Sequence, residues 1–420
     1  MFVPNSFIDG SAGGTPITAA TLNNLELGLV AADVTNPASA AALSLSTTYA
    51  MPRGGLLVGL GDSIPAAGDN ASAYFYADSY NLYAAMLSGG RVQYVQNAGV
   101  GGNTTSMMLA RFDTDVTPYA PSVVTFNGGT NDFTFGVSDT TYRANVKALV
   151  AKIRAIKATP IIFTPMPVSG AGAVQKAQIA RNVNWCIRYG LANQIQVVDA
   201  LSVLVDQTTD GNYATANTRD GGTHPSNLGH YILGQALASL FVNMPVYSTL
   251  AKYTSDPNNL VVNGMMQGSG ATAPGWDVNS APSSGTWSAQ MIADSAWPGG
   301  MKQRLTLTGA IGNLQLHQHT TIATGFAVGD LMEISCMVSN TVGVRSVVNV
   351  GCNGSSGNPA NLFEQPVTQG QVVRRFIVPA GTIGLDVTIA ANSPTNTIAV
   401  TGNVDYSGVT LRNLTAEGSV

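Results

Sequence analysis

Gly55-Leu56-Leu57-Val58-Gly59-Leu60-Gly61-Asp62-Ser63-Ile64-Pro65 opens with an apolar run and breaks at a Gly-Asp-Ser turn. The run from Gly55 to Leu60 suits a buried strand. After the turn comes a stretch rich in Ala and Tyr, near residues 71–88, that reads as a helix. A serine on a tight strand-to-helix turn presents its hydroxyl at the top of a sheet, close to helix-start amides that stabilise an anion. The tripeptide alone favours the plainer reading, a helix N-cap serine. The rest of the chain reverses that preference.

A second apolar strand, Val92 to Val95, leads into Asn97-Ala98-Gly99-Val100-Gly101-Gly102-Asn103-Thr104. A third, Ser122 to Phe126, leads into Gly129-Thr130-Asn131-Asp132. Much later, Asp220-Gly221-Gly222-Thr223-His224-Pro225-Ser226 precedes a helical stretch. Taken in order, GDS, N-x-G-x-x-G-N, G-T-N-D and D-G-G-T-H-P-S resemble the four signature blocks of the SGNH (GDSL-type) hydrolases, over roughly residues 50–245. The resemblance implies a flavodoxin-like parallel sheet with helices on both faces and a serine esterase activity.

The segment between about 50 and 250 alternates accordingly. Strands are expected near 55–60, 92–96, 122–127, 160–164 and 195–199, and further helices near 104–112, 140–157, 173–189 and 226–241. Val146, Leu149, Val150 and Ile153 form one apolar face of the helix at 140–157. Such βα alternation implies a parallel sheet with ligands bound at the carboxyl ends of its strands, where all the blocks fall.

Serine needs an adjacent base to become a nucleophile. Of the four histidines, His317 and His319 lie in the C-terminal region, leaving His224 and His230. His224 sits in the loop before the last helix and is the expected base; His230, six residues on, is expected to pack inside that helix. The family places its aspartate three residues before the histidine. Here that position is Gly221, and Asp220 lies one further back. A bulge at Gly221-Gly222 would let Asp220 reach the imidazole; otherwise a backbone carbonyl orients His224 and the site is a dyad. By position within the blocks, the resemblance assigns the oxyanion hole to the Ser63 and Gly102 backbone amides and the Asn131 side chain. Asp62, Asp132 and Asp199 read as structural carboxylates.

At 420 residues the chain calls for two or three domains. Net charge is −4 with only 10% charged residues and no basic stripe, which argues against nucleic acid. No apolar run approaches a bilayer span, and the N-terminus lacks the pattern of a signal peptide. Cys186, Cys336 and Cys352 lack metal spacing, and a bridge between the last two is left open. There is no P-loop or early GxGxxG, so no cofactor or metal is expected.

Residues 1 to about 50 form a Gly/Thr/Ala-rich module in which Thr18 caps a helix carrying Leu22, Leu25 and Leu29. Its Gly14-Thr15-Pro16-Ile17-Thr18-Ala19 stretch, followed by Leu22-Asn23 and Glu26, is similar to an element near the start of many bacteriophage tail and baseplate proteins. That likeness implies attachment to tail or baseplate proteins, virion location and a homotrimer; the bland alternative is a helix packing on the next domain. From about 255, short alternating runs (304–307, 331–338, 372–378, 385–389, 409–414) separated by turn residues read as a β-sandwich. The ends of this region, Asn258 to Gly264 and Val404 to Val409, resemble those of carbohydrate-binding jelly-roll modules. Trp276, Trp287 and Trp297 then read either as sugar-stacking rings or as packing. The combined expectation is an esterase removing acyl groups, O-acetyl first, from a bacterial surface polysaccharide. The alternatives are a broad small-ester carboxylesterase or lipase-like enzyme, and a receptor-binding protein that no longer catalyses.

Overall fold

β1 (Leu56–Gly61) is buried along its whole length, and every other strand of its sheet is placed by it. β2 (Gln93–Gly99) pairs on one side and β3 (Val123–Asn127) on the other, both parallel. β4 (Thr159–Phe163) and β5 (Gln196–Val198) extend the sheet, also parallel, giving the order β2-β1-β3-β4-β5. That is the flavodoxin-like order, with the switch point beside β1. The five strands fall where the apolar runs predict them.

The structure, a computed structural model, describes residues 55–66, 79–209, 211–246, 255–341, 343–355, 360–363, 370–393 and 398–418. The expected N-terminal module, with Thr18 and its leucine stripe, lies outside the described residues, as does the first part of the helix expected near 71–88.

The helices are α1 (Ser63–Ala66), α2 (Tyr80–Leu87), α3 (Thr105–Asp115), α4 (Thr130–Thr134), α5 (Asp139–Ala155), α6 (Ala173–Asn193), α7 (Ala200–Leu204) and α8 (Asn227–Ala238). Successive β1 side chains feed opposite faces. Leu56, Val58 and Leu60 join Phe112 of α3, Leu149 of α5 and Val183 of α6 in one core. Leu57 joins Tyr80 of α2, Leu204 of α7 and Leu233 of α8 in the other. α5 shows why these residues make a helix. Ser138 caps it by accepting from the Thr141 amide, and Tyr142, Val146, Leu149, Val150 and Ile153 line its buried stripe. Asp139 in its first turn and Lys152 and Arg154 in its last complement the helix dipole.

The C-terminal region is antiparallel. β6 (Trp276–Ser280), β9 (Asn313–Gln318), β11 (Arg345–Asn353), β12 (Ala360–Phe363) and β14 (Gly384–Asn392) form one five-stranded sheet. β7 (Ser284–Ala293), β8 (Met301–Ile311), β10 (Leu331–Asn340), β13 (Gly370–Ile377) and β15 (Val400–Asn413) form another. Their facing side chains, among them Leu316, Val350 and Leu385 from the first and Leu305, Ile334 and Leu411 from the second, share one core. β6, β7, β9, β11 and β12 were not foreseen. β6 and β7 are edge strands with mostly exposed side chains, so they lack the half-buried alternation that betrays a strand. Trp276 and Trp297 are buried, whereas Trp287 is exposed. Cys186, Cys336 and Cys352 are buried free thiols.

The two regions belong to one compact unit and meet through β13. Val373 sits in the core beneath α3, α5 and α6. Arg374 lies 5.7 Å above the Tyr94 ring, and Arg375 donates to the Tyr119 carbonyl at 2.8 Å. Arg375 also holds Glu333 at 2.8 Å, and both side chains are almost fully buried. Removing one partner of a buried pair strands the other charge. Glu333→Ala is therefore expected to lower unfolding stability by roughly 3–5 kcal/mol, read from the urea midpoint; a loss under about 1 kcal/mol would show that water reaches Arg375.

Candidate active site

Ser63 lies two residues past β1 as the first residue of α1. It is not the cap. Asp62 serves that role, its Oδ1 accepting from the Ile64 amide at 2.9 Å, which leaves the Ser63 hydroxyl free for other partners. Ser63 Oγ lies 2.8 Å from His224 Nε2. His224 Nδ1 is hydrogen-bonded to Asp220 Oδ2. A proton on Nδ1 shared with a carboxylate leaves Nε2 as the acceptor facing the serine.

The shifted aspartate reaches its histidine through the glycine pair. Gly221 and Gly222 have φ of +80° and +138°, conformations that side chains resist. A Cβ on Gly222 would also stand 2.1 Å from Ser169 Cβ, so the loop closes against Ser169 only with glycine there. The tight turn folds three amides onto the other carboxylate oxygen. Asp220 Oδ1 accepts from Gly222, Thr223 and His224 at 3.3, 2.9 and 3.0 Å. Partial burial pushes this carboxyl up, but the His224 amide and imidazole and the Thr223 amide outweigh it and hold it well below the usual carboxylate range. Ser226 caps α8 and so fixes where the histidine loop ends.

The other two blocks flank the serine. Gly102 has φ +79°, and a Cβ on Gly101 would lie 3.8 Å from Ser63 Cβ, so the loop after β2 runs beside the nucleophile. Asn97 stitches that loop to α1, donating to the Pro65 carbonyl and accepting from the Gly99 amide, each at 2.9 Å. Asn131, in the first turn of α4, donates to the Asn103 carbonyl at 3.1 Å, and its amide carries a second N–H. Asp132 accepts from the Thr105 amide at 2.9 Å and hydroxyl at 2.5 Å, fastening α4 to the start of α3. Asp199 caps α7 through Ser202. Both match the structural roles read for them.

Sequence reading missed Arg111. Its guanidinium donates to the carbonyls of Gly61 and Ala98 and to Asn103 Oδ1, each at 2.7 Å. It lies mid-helix, with no motif spacing to mark it.

Two buried titratable groups lie close to the site, Asp62 beside Ser63 in the chain and His230 within the electrostatic reach of His224. Burial pushes the Asp62 carboxyl up to about 7, aided by Asp132 and opposed by the Ile64 amide and Arg111. Burial pushes the His230 imidazole down to about 3, helped by Arg219 and His224. His230 stacks on Tyr80 at 5.9 Å, as expected of a packing residue, and neither ring nitrogen finds a hydrogen-bond partner among the described residues. Their effects on stability oppose each other. Between its ordinary 3.8 and about 7, Asp62 keeps a proton in the native state that the unfolded chain has lost, so stability falls as pH rises. Between about 3 and its ordinary 6.5, His230 lacks a proton that the unfolded chain binds, so stability rises with pH. Asp62→Asn keeps the Ile64 contact and removes the first slope. The urea midpoint of this variant is expected to climb relative to wild type between pH 4 and pH 7, the gap opening with pH and then holding. Parallel curves for the two proteins would mean Asp62 titrates normally.

Among the described residues no cluster of three His, Cys, Asp or Glu side chains is arranged to hold a metal, and no helix is long and apolar enough to cross a membrane.

Residues 60–232 match the GDSL-like Lipase/Acylhydrolase family model, a span containing Ser63, Gly102, Asn131, Asp220 and His224. The match covers less than half of the chain and marks its α/β region as similar to that family. Similar solved structures include a protein of the G-D-S-L family from Desulfitobacterium hafniense, at 26% identity and TM-score 0.39, covering 44% of this chain and 98% of that one. An acetylxylan esterase from Geobacillus stearothermophilus is 21% identical with TM-score 0.39, covering 47% and 99%. A lipase/acylhydrolase from Enterococcus faecalis is 22% identical with TM-score 0.39, covering 46% and 100%. No curated protein matches the sequence.

Proposed function

We propose that this protein is a serine esterase that removes acyl groups, O-acetyl foremost, from a bacterial surface polysaccharide. The observation carrying the chemistry is the chain Ser63 Oγ–His224 Nε2–Nδ1–Asp220 Oδ2 at the carboxyl end of β1. Nε2 takes the Ser63 proton as Oγ attacks the ester carbonyl carbon. The oxyanion forms beside the Ser63 and Gly102 amides and the Asn131 side chain, which stabilise it as charge develops. Collapse breaks the bond to the sugar oxygen, which leaves as an alcohol with the proton from His224, and Ser63 stays acylated. Water then attacks the acyl-enzyme with His224 again as base, releasing the acid and restoring the serine.

The polymer half of the reading rests on the sequence of the flanking regions. The C-terminal region's ends resemble those of carbohydrate-binding modules, and the N-terminal element resembles one found in tail and baseplate proteins, which carry their enzymes to a host surface. Acetate release from a panel of acetylated bacterial polysaccharides tests the substrate. Hydrolysis of a chromogenic acetyl ester with no release from any polymer would favour the small-ester enzyme; no hydrolysis of either would leave a binding protein.

Asn131→Ala is expected to lower kcat by roughly 10²–10³ with little change in KM, the usual loss for one oxyanion donor. If KM rises and kcat holds, Asn131 binds the ground state instead.

A further inference from the structure

We propose that Arg111 is a positioning residue of this esterase, aligning the nucleophile with the oxyanion hole; the inference rests on the ester-hydrolase reading above. Arg111 touches none of the reacting atoms. Its guanidinium instead bonds to two of the segments that supply them, the Ser63 turn and the Gly102 loop. Nη2 donates to the carbonyl of Gly61, two residues before Ser63. Nη1 donates to the carbonyl of Ala98, at the end of the strand leading to Gly102, and also to Asp115 on its own helix. Nε donates to the side chain of Asn103, the neighbour of Gly102.

The third bond extends to the last member of the hole. The Asn103 carbonyl accepts the Asn131 amide at 3.1 Å, so fixing the Asn103 side chain also steadies the acceptor that orients Asn131. The Gly61 carbonyl in turn also accepts the Val100 amide at 3.0 Å, joining the serine turn to the glycine loop. One planar group thus references the Ser63 turn, the Gly102 loop and the Asn131 amide to a single point. A guanidinium suits the task because its five N–H groups diverge in one rigid plane, whereas a lysine offers a single ammonium on a flexible stem. The Arg111 side chain is only 16% exposed, so water does not easily take over its bonds.

Displacements of about 1 Å in a preorganised site cost up to about a hundredfold in rate. Arg111→Met is therefore expected to lower kcat on a chromogenic acetyl ester by about 10- to 100-fold, with KM changed less than about threefold. Arg111→Lys should fail to restore it. Asn103→Ala, which leaves Arg111 in place and removes only its Oδ1 partner, should reproduce part of the kcat loss and covers the case in which Arg111→Met does not fold. The decisive measurement is the pairing with Asn131→Ala. If Arg111 acts through the hole, its replacement in that background should cost less than it does in the wild type, because one of the donors it aligns is already gone. A structural role alone would give the same loss in both backgrounds, and that additivity would overturn the proposal. So would a folded Arg111→Met or Asn103→Ala enzyme with unchanged kcat, or one altered only in KM. Wild type and Ser63→Ala run in the same assay separate the two claims. A wild type without turnover sinks the esterase reading and this inference together, whereas an active wild type beside fully active Arg111 variants sinks this inference alone.

Discussion

Ser63→Ala is expected to remove ester turnover almost completely, by on the order of 10⁵–10⁶ in kcat, while the protein stays folded. The hydroxyl contributes one hydrogen bond, to His224 Nε2 at 2.8 Å, and none of the contacts that hold the turn. Those belong to its neighbours. Asp62 caps α1, Asn97 holds the Pro65 carbonyl, and Arg111 and Val100 hold the Gly61 carbonyl. Loss of Oγ should therefore leave the urea midpoint within about 1 kcal/mol of wild type. His224→Ala should cost a similar factor, since nucleophile and base act as a unit, and the double variant should be little worse than either. A folded Ser63→Ala enzyme turning over a chromogenic acetyl ester near the wild-type rate would move the nucleophile elsewhere.

The parallel sheet was legible because buried strands and amphipathic helices impose different apolar periods on the chain, and 55–245 keeps both. β1 reads as a strand from its apolar run alone, and α5 as a helix from Val146, Leu149, Val150 and Ile153. The site was legible to the extent that its members stand at strand ends in fixed order. What the sequence hid depends on distance in the fold rather than along the chain. Arg111 bonds to a carbonyl 50 residues earlier, and backbone acceptors leave no signature in side-chain identity. Asp62 reads as an ordinary turn carboxylate, and only its complete burial reveals an unusual titration. In the C-terminal region the runs found first, such as 331–338 and 385–389, belong to strands with buried flanking sheet on both sides. The edge strands β6 and β7 are mostly exposed and mix small and polar residues with a few large apolar ones, so they lack the alternation that marks a half-buried strand.

Asp220 is where residue spacing left two mechanisms open, and the geometry sharpens the test between them. Asp220→Asn is expected to lower kcat by about 10⁴, some 5.4 kcal/mol of barrier at 1.36 per factor of ten. The reason lies in the three amides that converge on Oδ1, from Gly222, Thr223 and His224. An asparagine here must choose which end of its amide faces them. Turning the NH₂ toward three N–H donors would set donor against donor, so the amide oxygen is held at the Oδ1 position. The NH₂ then faces His224 Nδ1, which must accept rather than donate. That forces the imidazole proton onto Nε2, and Nε2 can no longer take the proton of Ser63. The variant thus keeps the loop and the residue positions and fixes the wrong tautomer, so its catalytic loss should fall on kcat. If a backbone carbonyl oriented His224 instead, the same substitution would cost less than about tenfold. A loss that small, with Ser63→Ala inactive in the same assay, would establish a Ser63–His224 dyad and reduce Asp220 to a loop anchor.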